Sequence, residues 1–216
     1  MFHTASTARR EVAIVTDDVS LPGRLAVPAD AVGAVIFAHG SGSSRLSPRN
    51  ARVAGLLEDA RLATLLFDLL TPAEADDRHN VFDVSLLADR LAAATRWLGA
   101  DANAGTLPVG YFGASTGAAA ALWAAADAPR IRAVVSRGGR PDLARPKLST
   151  VRAPTLLIVG SLDLPVLELN EEARLFMRCR CEVRLVPGAT HLFEEPGTLE
   201  AAARLARDWF LLYLPD

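Results

Sequence analysis

"VGYFGASTGAAAA", residues 109–121, decides how the chain reads. Its first half is an apolar run of the kind that forms a buried strand, and its second half is an alanine-rich stretch that favours helix. Between them stands Gly113-Ala114-Ser115-Thr116-Gly117, one serine with a glycine two residues to either side. A sharp strand-to-helix turn forces its apex residue into a strained backbone conformation. Side chains at the flanking positions would collide with the neighbouring strand and helix, and glycine removes them. The pattern predicts that Ser115 projects above a sheet, near the positive N-terminal end of the helix that starts at Thr116. The competing role, a serine that merely caps the helix, uses the same residue.

Working outward, the strands and helices alternate. "EVAIVT" and "VSLPGRLAVP" read as two strands joined by a turn at Asp17-Asp18. "AVGAVIFAHG" is a continuous apolar run, as for a strand covered on both faces. "SPRNARVAGLLEDA" reads as a helix with Ser47 as N-cap and Pro48 in its first turn. "LATLLFDLL" reads as a strand and "NVFDVSLLADRLAAATRWLGA" as one long amphipathic helix. After the strand and helix around Ser115 come strands in "IRAVVSRGG" and "PTLLIVGSLD", a helix within "LPVLELNEEARLFMRCR", a strand in "CEVRLVPG" and a closing helix in "GTLEAAARLARDWFLLYL". The fold class expected is α/β: a mostly parallel sheet with helices on both faces. In such sheets ligands bind beyond the carboxyl ends of the strands, so functional residues should directly follow strands.

Composition narrows the function classes. With 216 residues, half of them hydrophobic, the chain is expected to form a single domain over residues 1–216. A net charge of −2 gives none of the basic surplus of a nucleic-acid binder. "MFHTASTARREVAIV" has no apolar core of a signal peptide, and a cytoplasmic location is expected. The longest uncharged run, between Asp101 and Asp127, is broken by glycines and Pro108 and fits strand-turn-helix better than a membrane span. Cys179 and Cys181 are one residue apart; on a strand they would point to opposite faces and stay reduced. No metal site and no cofactor is expected. The expected partner is a small-molecule substrate, with no nucleic acid and no membrane, and the oligomeric state stays open.

A serine hydroxyl needs a general base. Of the four histidines, His3 lies at the terminus and His79 in the polar stretch "EADDRHN". His39 ends a strand before "GSGSS", and His191 follows another in "ATHLFEEPG". The base needs an acid to hold its tautomer. Asp163 follows "TLLIVGSL" and is preferred; Asp68, after "TLLF", competes, with binding of loop amides as its alternative role. Ser115, Asp163 and His191 then form the expected catalytic set, in the chain order of an α/β-hydrolase. Backbone N–H groups of Ser41 and Thr116 are expected to form the oxyanion hole, with His39 bracing the loop. Arg45 and Arg49 follow that loop, and Arg137 and Arg140 follow a strand. Arg45 and Arg137 are taken as substrate-binding residues for an anionic group.

Together, "IFAHGSGSSRLSPRN", "GYFGASTGAAAAL", "LLIVGSLD" and "VPGATHLFEEPG" resemble the α/β-hydrolase superfamily in its dienelactone-hydrolase-like branch, over nearly the whole chain. The resemblance implies cofactor-free acyl hydrolysis by a Ser-Asp-His triad. Dienelactone hydrolases proper carry a cysteine nucleophile, where this chain has Ser115. The loop and elbow look more like a subgroup of serine hydrolases, some joined to a phosphoribosyltransferase-like domain for which 216 residues leave no room. The short "RPDLARPKLSTVR" between two strands leaves no room for a helical cap, so an open site is expected. The activity expected is cleavage of a carboxylic ester, thioester or lactone. A peptidase or amidase of the same fold, and a catalytically idle binding module, are the alternatives.

Overall fold

A computed structural model describes residues 6–16 and 18–215. His3 and Asp17 lie outside the described residues. Among the described residues, eight strands form one sheet in the order β1-β2-β4-β3-β5-β6-β7-β8. The strands are β1 (Thr7–Val15), β2 (Ser20–Pro28), β3 (Gly33–Ala38), β4 (Leu62–Phe67), β5 (Val109–Ala114), β6 (Ile131–Arg137), β7 (Thr155–Gly160) and β8 (Cys181–Val186). β1 pairs antiparallel with β2, and β2 with β4; every later pairing is parallel. Parallel neighbours require crossovers, which the helices supply.

All six residues of β3, of β4, of β5 and of β7 are buried, which explains their unbroken apolar sequences. Alternate side chains of each strand feed two cores. Ile36 and Tyr111 face α4 (Val84–Gly99) and α5 (Thr116–Asp127), with Leu91 and Leu122. Phe37 and Phe112 face α1 (Pro48–Glu58) and α7 (Thr198–Tyr213), with Leu57 and Phe210. β8, at the edge, is largely open, and its Glu182 pairs with Arg180 and Arg184. Charge on an edge strand opposes pairing with another chain.

Ser47 caps α1 as expected, accepting a hydrogen bond from Asn50 N at 3.3 Å, with Pro48 in the first turn. The helix read over 80–100 divides in two. A short α3 (Arg78–Phe82) ends at Asp83, which leaves helical geometry and caps α4 by accepting from Leu86 N at 3.0 Å. The apolar periodicity continued through Asp83, but its carboxylate competes for backbone N–H groups and makes a new start. A four-residue α2 (Pro72–Ala75), closed by a capping box between Thr71 and Glu74, precedes it.

Among the described residues no helical cap covers the carboxyl edge. "RPDLARPKLSTVR" instead contains a 3₁₀-helical segment, Pro141–Thr150, which buries Ala144 and Leu148 and packs on α5 and on α6 (Leu164–Phe176). Cys179 and Cys181 are free thiols. Among the described residues no helix is long and apolar enough to cross a membrane.

Candidate active site

The turn between β5 and α5 bends as the glycine spacing predicts. Ser115 sits at φ 51° and ψ −122°, one of three non-glycine residues with positive φ among those described. Such a conformation is costly for a residue with a Cβ and persists only where the surroundings impose it. A Cβ on Gly113 would lie 2.7 Å from Ala118 N and from Gly117 O. One on Gly117 would lie 2.6 Å from the carbonyl carbon of Ala38. The helix therefore approaches β3 and β5 at a distance only glycine permits. Ser115 occupies the N-cap position, yet its hydroxyl makes no capping hydrogen bond. The capping role is thereby removed, and the Oγ remains available.

Asp163 repeats this arrangement on β7. It stands at the N-cap of α6 without capping it, and its Oδ2 instead accepts a hydrogen bond from His191 Nδ1 at 2.7 Å. That bond leaves Nε2 as the free, proton-accepting nitrogen. The two loops are stitched together: Leu162 N donates to Ala189 O at 3.0 Å, and Gly188 N donates to Ser161 Oγ at 2.9 Å. Glu195 secures the far side, accepting from Thr190 Oγ1 at 2.6 Å and from Thr190 N at 3.1 Å. These bonds hold its carboxyl below the usual range. The sequence reading missed Glu195, because a glutamate in a loop carries no signal of its partner.

His191 comes close to the elbow through Gly138. Ser115 N donates to Arg137 O at 3.3 Å, and a Cβ on the next residue, Gly138, would lie 3.7 Å from His191 Cε1. No hydrogen bond joins Ser115 Oγ to the imidazole among the described residues. Such bonds are commonly long in unliganded enzymes and tighten around substrate.

The loop after β3 faces Ser115 from the other side. A Cβ on Gly40 would lie 3.0 Å from Ser115 Cβ. Thr116 N is the first amide of α5 and has no intrahelical acceptor, and Ser41 N donates to no backbone carbonyl among the described residues. His39 braces this loop: its Nε2 accepts from Leu69 N at 3.1 Å and its Nδ1 donates to Gly40 O at 3.0 Å. Both bonds suit a neutral ring. Burial holds its pKa below the ordinary 6.5, outweighing the bond to Gly40 and the charge of Asp68.

Asp68 serves the loop as well, accepting from Arg45 N at 2.6 Å and from Arg45 Nη1 at 3.2 Å. Three of the four arginines are engaged by carboxylates. Arg45 is held by Asp68, with Glu11 at 3.9 Å, and Arg140 is bound two-fold by Asp142. Arg49 reaches Glu194. Arg137 points to the α1–α7 side of the sheet, where it is 7% exposed, lies over the rings of Phe112 and Phe193, and meets Asn50 Oδ1 at 3.4 Å. Its Nη1 has no hydrogen-bond partner among the described residues. The sequence displayed their charges and hid their partners. His79 is exposed in α3. Among the described residues no group of three His, Cys, Asp or Glu side chains is placed to hold a metal ion.

An uncapped serine at an elbow, a strand-end aspartate bound to a histidine, and two free amides opposite form a hydrolase-like constellation. Comparison with known proteins gives the family and the fold. A crystal structure of dienelactone hydrolase from Anabaena variabilis shares 53% sequence identity, covers 96% of this chain and 99% of its own, and superposes with a TM-score of 0.94. The chain belongs to the dienelactone hydrolase family. Est1E from Butyrivibrio proteoclasticus, at 16% identity over 94% of this chain and 98% of its own, has the same α/β-hydrolase fold with a TM-score of 0.79. Two curated proteins from strains of Mycobacterium tuberculosis, named provisionally as phosphoribosyl transferases, are 60% identical over 206 residues. Those residues are 94% of this chain, which spans about half, 46%, of those relatives' length. No family model matches. Within the dienelactone hydrolase family, this member carries Ser115 at the elbow.

Proposed function

We propose that the protein is a serine hydrolase that cleaves a carboxylic ester, thioester or lactone of a small substrate through an acyl-enzyme, with residues 1–216 acting as one hydrolase unit. The observation that carries this reading is Ser115 itself: a non-glycine residue at φ 51°, at an N-cap it does not cap. Strain at that position has no structural return, and a serine nucleophile needs just that exposure.

His191 Nε2 takes the proton from Ser115 Oγ as the oxygen attacks the substrate carbonyl. Asp163 holds the imidazole in the required tautomer through the 2.7 Å bond and stabilises the imidazolium. The amides of Ser41 and Thr116 receive the oxyanion, aided by the N-terminal end of α5. The tetrahedral intermediate collapses, the bond to the leaving oxygen or sulfur breaks, and His191 returns its proton to that atom. Water then attacks the acyl-enzyme by the same route and regenerates the hydroxyl.

A panel of ester, thioester, lactone and amide substrates assayed with wild type and Ser115→Ala tests this. Turnover of at least one acyl substrate is expected, falling on the order of 10³-fold or more in Ser115→Ala, because triad members act as a unit. Turnover in Ser115→Ala within a few-fold of wild type would exclude Ser115 as nucleophile. Preference for the amide would move the assignment to an amidase.

A further inference from the structure

Beside the β3–α1 loop lies a cavity of about 290 Å³ that nothing above uses. Gly40 and Ser41 line it together with Leu69, Leu70, Val81 and Leu87. Gly40 both lines this cavity and abuts Ser115, where a Cβ on it would lie 3.0 Å from Ser115 Cβ, so the cavity is one residue removed from the elbow. The one carboxylate in its wall, Asp68, is engaged by Arg45, and His39 presents a neutral ring. The outer wall is tied down. Glu74 accepts from Arg90 Nη2 at 2.8 Å, Arg90 Nη1 donates to Thr16 Oγ1 at 2.9 Å, and Asn80 donates to Glu74 O at 3.1 Å. A wall fixed in this way loses little freedom when the cavity fills.

The chemistry sets which part of a substrate enters. His191 must protonate the leaving group, so the leaving group lies on the His191 side, where Leu162, Leu164 and Leu192, chain neighbours of Asp163 and His191, are exposed. The oxyanion lies between Ser41 and Thr116. The remaining substituent of the tetrahedral carbon, the acyl chain, is directed away from His191 toward the β3–α1 loop. We propose that the cavity behind Gly40 receives the acyl chain, and that the enzyme prefers short, uncharged aliphatic acyl groups. The volume lies just under the range of about 300–1,000 Å³ typical of drug-sized ligands. A negative charge on the acyl chain would lose its hydration among leucines.

This inference rests on Ser115 as nucleophile, and the experiment separates the two. kcat/KM is measured for p-nitrophenyl acetate, butyrate and hexanoate, and for a succinyl monoester carrying a free carboxylate. Each methylene that enters the cavity should raise kcat/KM about fourfold, so butyrate should exceed acetate by about 15-fold. The succinyl ester should fall below butyrate. Val81→Phe, which fills the cavity, should bring the butyrate-to-acetate ratio close to one, and Ala75→Phe at the exposed lip should do the same if Val81→Phe does not fold. Leu70→Ala should carry the rise on to longer chains. A flat chain-length profile that still depends on Ser115, or an unchanged ratio in the folded filling variant, would overturn the cavity assignment alone. Ester turnover surviving in Ser115→Ala would overturn the catalytic reading beneath it.

Discussion

Replacing Gly117 with alanine adds one methyl group where α5 meets the end of β3. The new Cβ would lie 2.6 Å from the Ala38 carbonyl carbon, and closer to the Ala38 and His39 carbonyl oxygens. Carbon atoms in good contact stand about 3.5–4.0 Å apart, so the helix must retreat by about 1 Å. All the obstructing atoms are backbone, and no side-chain rotation relieves them. Overpacking of this kind costs about 1–3 kcal/mol, and for a chain of this size each kcal/mol lowers Tm by about 2–4 °C. The retreat also carries Thr116 N away from Ser41 N, which belongs to the loop after β3. A misplacement of about 1 Å at a reacting centre can reduce turnover about 10²-fold. Gly117→Ala should therefore lose activity on an activated acetate ester by about that factor in kcat while staying folded, with Tm lowered by several degrees in thermal unfolding. A variant with wild-type kcat and Tm would refute both the close approach and its role in placing the oxyanion donors.

Asp163→Asn breaks the carboxylate–imidazole bond without opening a core cavity; kcat should fall on the order of 10⁴-fold with Tm nearly unchanged, and a loss under tenfold would point to another acid. Arg137 is pushed down to about 10 by burial and by the charge of Arg49, which corresponds to about 3 kcal/mol against the ordinary 12.5. Arg137→Met should thus hold or raise Tm and leave the preference between neutral and carboxylate-bearing esters unchanged, whereas a Tm drop of several degrees or an altered preference would restore Arg137 as a working cation. His39 stays neutral in the fold below the ordinary imidazole value of 6.5, where the unfolded chain takes up the proton. Its contribution is complete above pH 6.5 and is lost as pH falls below it. Denaturant unfolding at pH 7 and pH 5 should show a smaller loss in His39→Gln than in wild type; equal losses would contradict a buried neutral ring.

What was legible in the sequence was what backbone geometry demands locally. The buried strands announced themselves as unbroken apolar runs, and the elbow as two glycines two residues from a serine, since no other residue fits against Ala38 and Ala118. The rule that ligands bind beyond strand ends singled out Asp163, His191 and the Ser41 loop, and the structure joins Asp163 to His191. Partnership was not legible. Arg45, Arg137 and Arg140 read alike as loop cations, yet one is held by Asp68, one is buried over Phe112 and Phe193, and one is bound by its near neighbour Asp142. The break at Asp83 was hidden because α3 and α4 share one apolar periodicity. The cavity was hidden because it is a space between Leu69, Leu70, Val81 and Leu87, which each look like ordinary core residues.

The central claim is that Ser115 Oγ carries the acyl group. Mixing the enzyme with excess p-nitrophenyl acetate, quenching in acid within the first turnover and mapping the digest by mass spectrometry tests it directly. The reaction releases one nitrophenolate for each acetyl transferred, so a peptide containing Ser115 should gain one acetyl group. The gain should match the burst of nitrophenolate and vanish in Ser115→Ala. Hydrolysis without any acyl adduct on that peptide, or an adduct on another residue that tracks the burst, would contradict the account.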